Sequence, residues 1–274
     1  MSDNRLEATF RRLKAAQQAA FIPFVTAGDP DLDATAALLR ACARRGADVI
    51  EVGFPYSDPI ADGPVIQSSY TRALARGLRV DEVFDAVANV SRDGLDVPLV
   101  AMVSYSIVYR RGPERFARQA ASAGFSALIV PDLPVEECDE LLHVAQQHRL
   151  RIVQLVTPLT DDARLERILQ KAGGFVYFVS VAGTTGERER VPQYLKSRVL
   201  DLKRRTSLPI CVGFGVSRPE QAEQIAAFAD GVICGSAIVR RIAQSASLPA
   251  EQLAQRVGDY IEEMAAAVRR ARRG

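Results

Sequence analysis

Two carboxyl side chains of this sequence are spaced for acid–base chemistry. Glu51 lies in an apolar run between Ile50 and Val52, and strand alternation turns it away from both neighbours, toward the mouth of a barrel. Burial there raises the pKa of a carboxyl group toward neutrality, as a general acid–base requires. Asp62 follows in a loop rich in proline and glycine, residues 56–64, which can fold over the same mouth. The alternatives are a Glu51 paired with a structural arginine and an Asp62 exposed in a turn.

Glycine-rich turns follow the last two strand-like segments of the chain. Residues 213–215 end the seventh segment, and residues 235–236 follow the eighth and open a short helix. Such turns let backbone N–H groups approach an anion, and a helix N-terminus favours negative charge. A third turn, residues 183–186, could close another side of the site. Each turn alone is ordinary turn chemistry, but the two at the last strands together predict a phosphate site.

Two other kinds of barrel chemistry are disfavoured by where their residues fall. A Schiff-base aldolase needs a lysine in the barrel mouth, but the lysines all fall in helix-like stretches, at Lys14, Lys171, Lys196 and Lys203. His143 and His148 do not share a helix face, and no cysteine or carboxylate cluster joins them, so we predict no metal site. The four cysteines form no CxxC pair and are expected to be buried and reduced. Carboxylate chemistry on a phosphorylated small molecule remains.

Eight strand-like segments alternate with helical patterns, and several are apolar at consecutive positions, as parallel strands covered by helices are. The segments are 21–26, 49–54, 99–105, 127–132, 152–157, 175–181, 210–214 and 231–234, and the helical stretches are 33–45, 81–92, 113–123, 135–148, 162–171, 191–205, 219–228 and 249–273. Eight such units without a linker predict an α/β fold, a single (β/α)8 TIM barrel over residues 1–274. An extra N-terminal helix, residues 6–18, would cover its bottom. An open doubly wound sheet is the alternative, although no GxGxxG motif follows the first strand.

The composition is that of an ordinary globular protein. The 274 residues are 48% hydrophobic and 25% charged, with 35 basic and 33 acidic side chains and a formal net charge of +2. This balance argues against a disordered chain and against a chain-wide nucleic-acid binder. No apolar run approaches the roughly 18 residues that cross a bilayer, and the N-terminal segment lacks the core of a secretory signal, so a cytoplasmic protein without membrane contact is expected. The basic cluster at residues 268–273 is interpreted as a solvated helix end, with a nucleic-acid or membrane contact as the alternative.

Five segments, in their order along the chain, resemble the tryptophan synthase alpha subunit family. They are residues 24–30, 51–67, 183–186, 213–215 and 235–239. The second segment is long and highly specific, whereas the glycine turns are shared with many phosphate-binding barrels. The resemblance covers nearly the whole chain. It implies a lyase of tryptophan biosynthesis that splits indole-3-glycerol phosphate into indole and glyceraldehyde 3-phosphate.

The resemblance also assigns roles to individual residues. Glu51 matches the acid–base glutamate of the family, and Asp62 matches the aspartate that holds the indole N–H. Asp132 matches an aspartate at a strand end. The positions that match substrate-binding residues are Phe24, Ile66, Ile129, Tyr177, Thr185, Gly186, Phe214, Gly215, Gly235 and Ser236. No cofactor is implied in this chain.

The resemblance further implies a partner, the tryptophan synthase beta subunit, which carries pyridoxal phosphate and uses the indole within an α2β2 heterotetramer. Tyr56 and Ile60 lie on the stiff loop 55–64, and we expect them to be exposed for contact with that partner. The alternative is a self-packed loop with both side chains turned inward. Ser104 and Ser106 stand where the family has a tyrosine and an asparagine, the latter facing the partner. The alternatives are a stand-alone lyase, another phosphate-binding barrel such as a phosphosugar isomerase, and a catalytically silent regulatory barrel.

Overall fold

Eight parallel strands close into a barrel in chain order, and the (β/α)8 prediction is confirmed. The structure is a computed structural model that describes residues 4–59, 62–179, 191–213 and 215–271. The strands are β1 (Ala20–Thr26), β2 (Ile50–Gly53), β3 (Leu99–Met102), β4 (Phe125–Ile129), β5 (Arg151–Val156), β6 (Val176–Val179), β7 (Ile210–Gly213) and β8 (Gly231–Cys234). Pairing between β8 and β1 completes the closure. Because the strands are parallel, their carboxyl ends meet at one mouth.

Helices cover the outside of the barrel. They are α1 (Arg5–Ala15), α2 (Leu32–Arg44), α3 (Pro64–Ala75), α4 (Val80–Arg92), α5 (Tyr105–Arg111), α6 (Pro113–Ala123), α7 (Asp139–Gln147), α8 (Asp162–Lys171), α9 (Gln193–Arg205), α10 (Pro219–Ala226), α11 (Ser236–Gln244) and α12 (Ala250–Arg270). Within the described ranges, none of these helices has the length and apolar character needed to span a membrane.

Two helices, α3 and α5, are not predicted by the sequence patterns. Pro64 begins α3, where its fixed φ and missing N–H suit a first helical turn, but serines and threonines interrupt the apolar stripe that would mark this helix. Ser104 caps α5 by accepting the N–H of Ser106. For that reason β3 ends at Met102 and does not continue to residue 105 as predicted.

Alternate strand residues fill the barrel interior with apolar side chains. This interior cluster includes Ile22, Val100, Ala127, Ile129, Val153, Cys211 and Ile233. At the amino-terminal end Leu6, Phe10 and Leu13 of α1 join the cluster, and the rings of Phe10 and Phe175 lie 5.7 Å apart. The prediction that the N-terminal helix covers the barrel bottom is therefore confirmed.

Two aspartates at the bottom of the barrel fasten neighbouring strands to each other. Asp48 precedes β2 and accepts the N–H of Phe21 in β1 at 3.0 Å. Asp230 precedes β8 and accepts the N–H of Ile210 in β7 at 3.0 Å. Each carboxylate thus fixes the stagger between two strands, and that stagger sets the height at which their carboxyl ends reach the mouth.

Candidate active site

Glu51 lies on β2 inside the mouth, without a hydrogen-bond partner. Its neighbours in register are Phe24 of β1 and Val100 of β3, and Val100 belongs to the interior cluster. Glu51 is 1% exposed, and among the described residues neither of its carboxyl oxygens has a hydrogen-bond partner, so none of the described arginines forms a structural pair with it. Burial first, and then the nearby charge of Asp62, raises the pKa of Glu51 to about 8.

The loop after β2 brings Asp62 beside the same mouth. Gln67 of α3 fastens this loop, because its side-chain amide donates to the carbonyls of Pro59 at 3.1 Å and of Asp62 at 2.8 Å. The Tyr56 hydroxyl donates to Asp62 Oδ2 at 3.4 Å. Burial raises the pKa of Asp62 to about 6; the hydrogen bond from Tyr56 opposes this rise and the charge of Asp132 adds to it. Asp62 is therefore no exposed turn residue.

An ion pair with a buried aspartate holds α3, and with it the loop, against the turn that follows β1. Arg72 of α3 donates from Nε and Nη2 to the two carboxyl oxygens of Asp29, at 2.8 and 2.7 Å. Asp29 is fully buried, so the guanidinium must compensate its charge. Hydroxyl groups of Thr26 and Ser69 add a contact of 2.7 Å between β1 and α3. These bonds fix where α3 presents its residues to the mouth.

Apolar and aromatic side chains surround the two carboxyl groups. Phe24 and Ile66 form one buried cluster with Val239 of α11. Ile129 is buried in the interior cluster, and Tyr177 packs against that cluster from β6. Burial raises the pKa of Tyr177 well above its ordinary value, and the charge of Glu51 is the next largest cause, which places Tyr177 near that carboxyl group. The structure thus brings the predicted aromatic and aliphatic residues together around the carboxyls.

Two strand glycines that make room for these rings are missed by the sequence reasoning. A Cβ atom at Gly53 would lie 2.7 Å from Cε2 of Phe24 and 3.0 Å from the hydroxyl oxygen of Tyr70. A Cβ atom at Gly213 would lie 2.6 Å from Cε2 of Tyr177. A glycine inside a strand-like run signals such a close approach, and this signal is present in the sequence at both positions.

The predicted phosphate residues that the structure describes follow β7 and β8. Gly215 has a φ of +70°, in the left-handed region that favours glycine. Gly235 caps α11 and Ser236 begins it, at the helix end that presents backbone N–H groups to a ligand. A Cβ atom at Gly235 would lie 3.7 Å from Cβ of Phe24, so this turn adjoins the apolar wall. Three further predicted residues, Thr185, Gly186 and Phe214, lie outside the described residues.

Asp132, in the turn after β4, is held by the segment that departs from the family pattern. The Tyr105 N–H donates to Asp132 Oδ1 at 2.8 Å, and the Ser104 hydroxyl donates to Oδ2 at 2.7 Å. The Ser106 hydroxyl lies 2.7 Å from that of Ser104. The two serines therefore build a local network around a carboxylate whose charge reaches Asp62.

The expectation that Tyr56 is exposed for a partner is wrong. Its ring packs against that of Tyr70, with centroids 5.5 Å apart, and its hydroxyl reaches Asp62. A phenol beside a buried carboxylate fills apolar space and also donates a hydrogen bond, which explains why the side chain turns inward. Ile60 lies outside the described residues. Exposed apolar side chains are found instead at Tyr109 of α5 and at Leu159 after β5.

The donor sets of the described ranges include no group of three or more His, Cys, Asp or Glu side chains arranged to hold a metal ion. The site offers a buried and a half-buried carboxyl group with different pKa values, an apolar wall and two glycine turns. A carboxyl group with a pKa near neutrality can donate a proton and take it back, while its ionised neighbour stabilises positive charge.

Fold and site together define a (β/α)8-barrel enzyme of the lyase class with two carboxyl groups at its mouth. The chain belongs to the tryptophan synthase alpha chain family, whose family model matches residues 10–269, and the resemblance is confirmed. Curated tryptophan synthase alpha chains of Rhodopirellula baltica and Gloeobacter violaceus are 44% and 46% identical to it. The alignments cover 96% and 93% of this chain and 98% and 91% of those relatives.

Solved structures agree with this assignment. Tryptophan synthase subunit alpha from Legionella pneumophila matches with a TM-score of 0.90 at 37% identity, over 97% of this chain and 99% of that one. A chain of Mycobacterium tuberculosis tryptophan synthase matches with a TM-score of 0.89 at 37% identity, over 98% and 99%. The predicted lyase class follows from this membership, and the alternative of a phosphosugar isomerase is excluded.

The raised pKa of Glu51 predicts a pH-dependent cost to stability. The carboxyl titrates near pH 8 in the folded chain and near about 4.3 when unfolded, so between these values the folded state binds the additional proton. With respect to the titration of Glu51, the folded chain is therefore most stable below about pH 4, and its free energy of unfolding falls as the pH rises to 8. Because the glutamine does not titrate, the free energy of unfolding of Glu51→Gln should rise by about 4 kcal/mol relative to that of the native chain between pH 5 and 8.

Urea unfolding of both proteins at pH 5, 6.5 and 8 measures this difference. Glu140→Gln, on the exposed side of α7, is the matched control and should follow the native pH dependence. Parallel stability curves for Glu51→Gln and the native chain would contradict a raised pKa for Glu51.

Proposed function

We propose that Glu51 and Asp62 of this chain cleave indole-3-glycerol phosphate into indole and glyceraldehyde 3-phosphate, the lyase reaction of the tryptophan synthase alpha chain family in tryptophan biosynthesis. The observation that carries the assignment of these two residues is a buried, unpartnered Glu51 with a pKa of about 8 beside an Asp62 with a pKa of about 6. At pH 7 the first group is mostly protonated and the second mostly ionised. One carboxyl can thus give a proton while the other holds a negative charge.

The reaction follows from these two protonation states. Glu51 gives its proton to the indole ring carbon that bears the side chain, and the ring nitrogen then carries positive charge. The Asp62 carboxylate accepts the ring N–H and stabilises this charge. The Glu51 carboxylate then takes the proton of the adjacent side-chain hydroxyl, the carbon–carbon bond breaks and its electron pair returns to the ring. Indole and the aldehyde are released, and Glu51 is again protonated.

The remaining site residues bind different parts of the substrate. The apolar wall of Phe24, Ile66 and Ile129, with Tyr177, suits an indole ring, since it excludes water from the reacting carbon. The glycine turns at Gly215 and at residues 235–236 suit the phosphate. The chemistry uses only carboxyl protons, so we propose that this chain needs no cofactor of its own.

We further propose that the chain works with a tryptophan synthase beta subunit in an α2β2 complex, with pyridoxal phosphate held by the beta subunit. Membership of the alpha chain family supports the partner, and matching structures from Mycobacterium tuberculosis bear the name of the whole tryptophan synthase. On this chain the exposed Tyr109, 71% accessible, and Leu159, 76% accessible, offer apolar contacts. The rival proposal is a stand-alone lyase, which would be fully active alone.

Glu51→Gln tests the acid–base assignment directly. The amide keeps the shape of the side chain but cannot give and retake the proton, so indole release should fall at least about 100-fold. Native kcat/KM should rise with pH near 6, as Asp62 ionises, and fall near 8, as Glu51 loses its proton. Circular dichroism checks folding, and the Glu140→Gln control should keep native rates. A folded Glu51→Gln with near-native turnover would refute the role of Glu51.

Gly235→Val tests the phosphate turn. The added Cβ meets Phe24 at an ordinary contact distance of 3.7 Å, so the variant should fold, but its methyl groups occupy the approach to the turn. We expect KM for the phosphorylated substrate to rise at least about tenfold, close to 1.4 kcal/mol of binding. Unphosphorylated indole-3-glycerol is the control, and its slow cleavage should be equal in both proteins. An unchanged KM would place the phosphate elsewhere.

Titration with a beta subunit tests the partner. The isolated chain should release indole slowly, and saturating beta subunit should raise the rate at least tenfold, about 1.4 kcal/mol of barrier. Light scattering should give the mass of two alpha and two beta chains. Binding without any change in rate, or full activity of the isolated chain, would favour the stand-alone lyase.

A further inference from the structure

Three buried side-chain atoms of the described residues have no hydrogen-bond partner. Two are the carboxyl oxygens of Glu51, and the third is the hydroxyl oxygen of Tyr70 on α3. A buried hydroxyl without a partner loses its bond to water and gains none in return, so such an atom calls for a functional explanation. Sequence reasoning misses Tyr70, although its four-residue spacing from Ile66 on one helix puts both on the same face.

The Tyr70 hydroxyl lies at the mouth, on the same side of β2 as Glu51. It is 3.0 Å from the point where a Cβ atom of Gly53 would stand. Gly53 and Glu51 are two positions apart on one strand and therefore face the same way. The ring is held there by Phe24 and Ile66 in one cluster and by Tyr56, 5.5 Å away between centroids. Tyr70 thus has a fixed ring and a free hydroxyl at the reaction centre.

The charges around this hydroxyl determine what it can do. Burial raises the pKa of Tyr70 well above its ordinary value, and the charges of Asp62, Tyr56 and Glu51 follow as causes in that order. The phenol therefore keeps its proton throughout the working pH range and acts as a donor. Glu51 begins the reaction protonated, whereas Asp62 is ionised and, among the described residues, accepts the Tyr56 hydroxyl on Oδ2.

We propose that Tyr70 is a positioning residue for the lyase reaction: with substrate bound, its hydroxyl donates to the Asp62 carboxylate beside that of Tyr56. The two phenols then keep Asp62 ionised and aimed at the indole N–H. A hydrogen bond to a charged group is stronger than one to a neutral group, so the ionised form of Asp62 gains most from it. The inference rests on the proposed function, since it needs an ionised Asp62 to act on substrate.

The groups that face Asp62 come from four parts of the fold. Tyr56 comes from its own loop, Tyr70 from α3, Glu51 from β2 and Asp132 from the turn after β4. The carboxylates among them disfavour ionisation of Asp62, and the two phenols favour it. Loss of one phenol should therefore move the titration of Asp62 upward.

Tyr70→Phe, which removes a single oxygen atom and keeps the ring, tests the proposal. The acidic midpoint of kcat for indole release, which reports Asp62 with substrate bound, should rise by about one pH unit. The rate should therefore fall about fivefold at pH 6 and return to nearly the native rate at pH 8. Tyr194→Phe, at a 45% exposed tyrosine of α9, is the matched control and should keep the native profile. Tyr56→Phe should shift the midpoint in the same direction as Tyr70→Phe.

A binding titration gives a second readout. The chain contains no tryptophan, so the fluorescence of an unreactive indole-alkyl phosphate, excited at a wavelength that tyrosine does not absorb, reports its binding. In Tyr70→Phe the acidic midpoint that belongs to the complex should shift upward in the pH dependence of the dissociation constant, and the midpoint of the free chain should not.

The outcomes separate the inference from the proposed function. Native indole release together with an unchanged pH profile in Tyr70→Phe would leave Tyr70 as packing only and overturn the inference alone. A loss of affinity equal at every pH would show contact with substrate and not with Asp62, and would overturn it as well. A native chain that releases no indole would contradict the proposed function, and the inference with it.

Discussion

The site depends on one electrostatic conflict, an ionisable carboxyl group enclosed in an apolar barrel without a partner. Glu51 would be cheapest to bury as a neutral acid, and burial accordingly raises its pKa to about 8. Asp62 lies nearer the rim and accepts a hydrogen bond from the Tyr56 hydroxyl. It is therefore the carboxyl group of the two that is ionised. The difference between the two environments, rather than any difference in the chemistry of the side chains, separates an acid from an anion.

Such a conflict persists only if the surrounding structure is stiff enough to maintain it. The bottom of the barrel contributes stiffness through α1 and through the aspartates that fasten neighbouring strands. The mouth contributes the ion pair of Asp29 and Arg72, which prevents α3 from drifting away from β1. Because these bonds are made outside the reaction centre, the unpartnered oxygens of Glu51 can remain unsatisfied until a substrate arrives.

The sequence predicts the barrel and the position of Glu51 because both depend on local patterns, the alternation of units and the period of a strand. It does not predict the direction of Tyr56, which depends on Gln67 drawing the loop toward α3 through two carbonyl groups. The helix that carries Tyr70 is also missed, since Ser68, Ser69 and Thr71 interrupt its apolar stripe. Contacts between a loop and the helix that follows it are not periodic, so they cannot be predicted from the residue pattern.

The closure of the barrel bottom by Leu6, Phe10 and Leu13 has a consequence for traffic through the molecule. In the part of the chain that the structure describes, α1 closes one end and packed side chains fill the interior, so the entrance left to reactants and products is at the carboxyl ends of the strands. Molecules in such a blind chamber leave in the reverse of their stacking order. The depth at which each half of the substrate lies therefore determines the sequence of product release, and a protein seated over the entrance would receive whichever product departs.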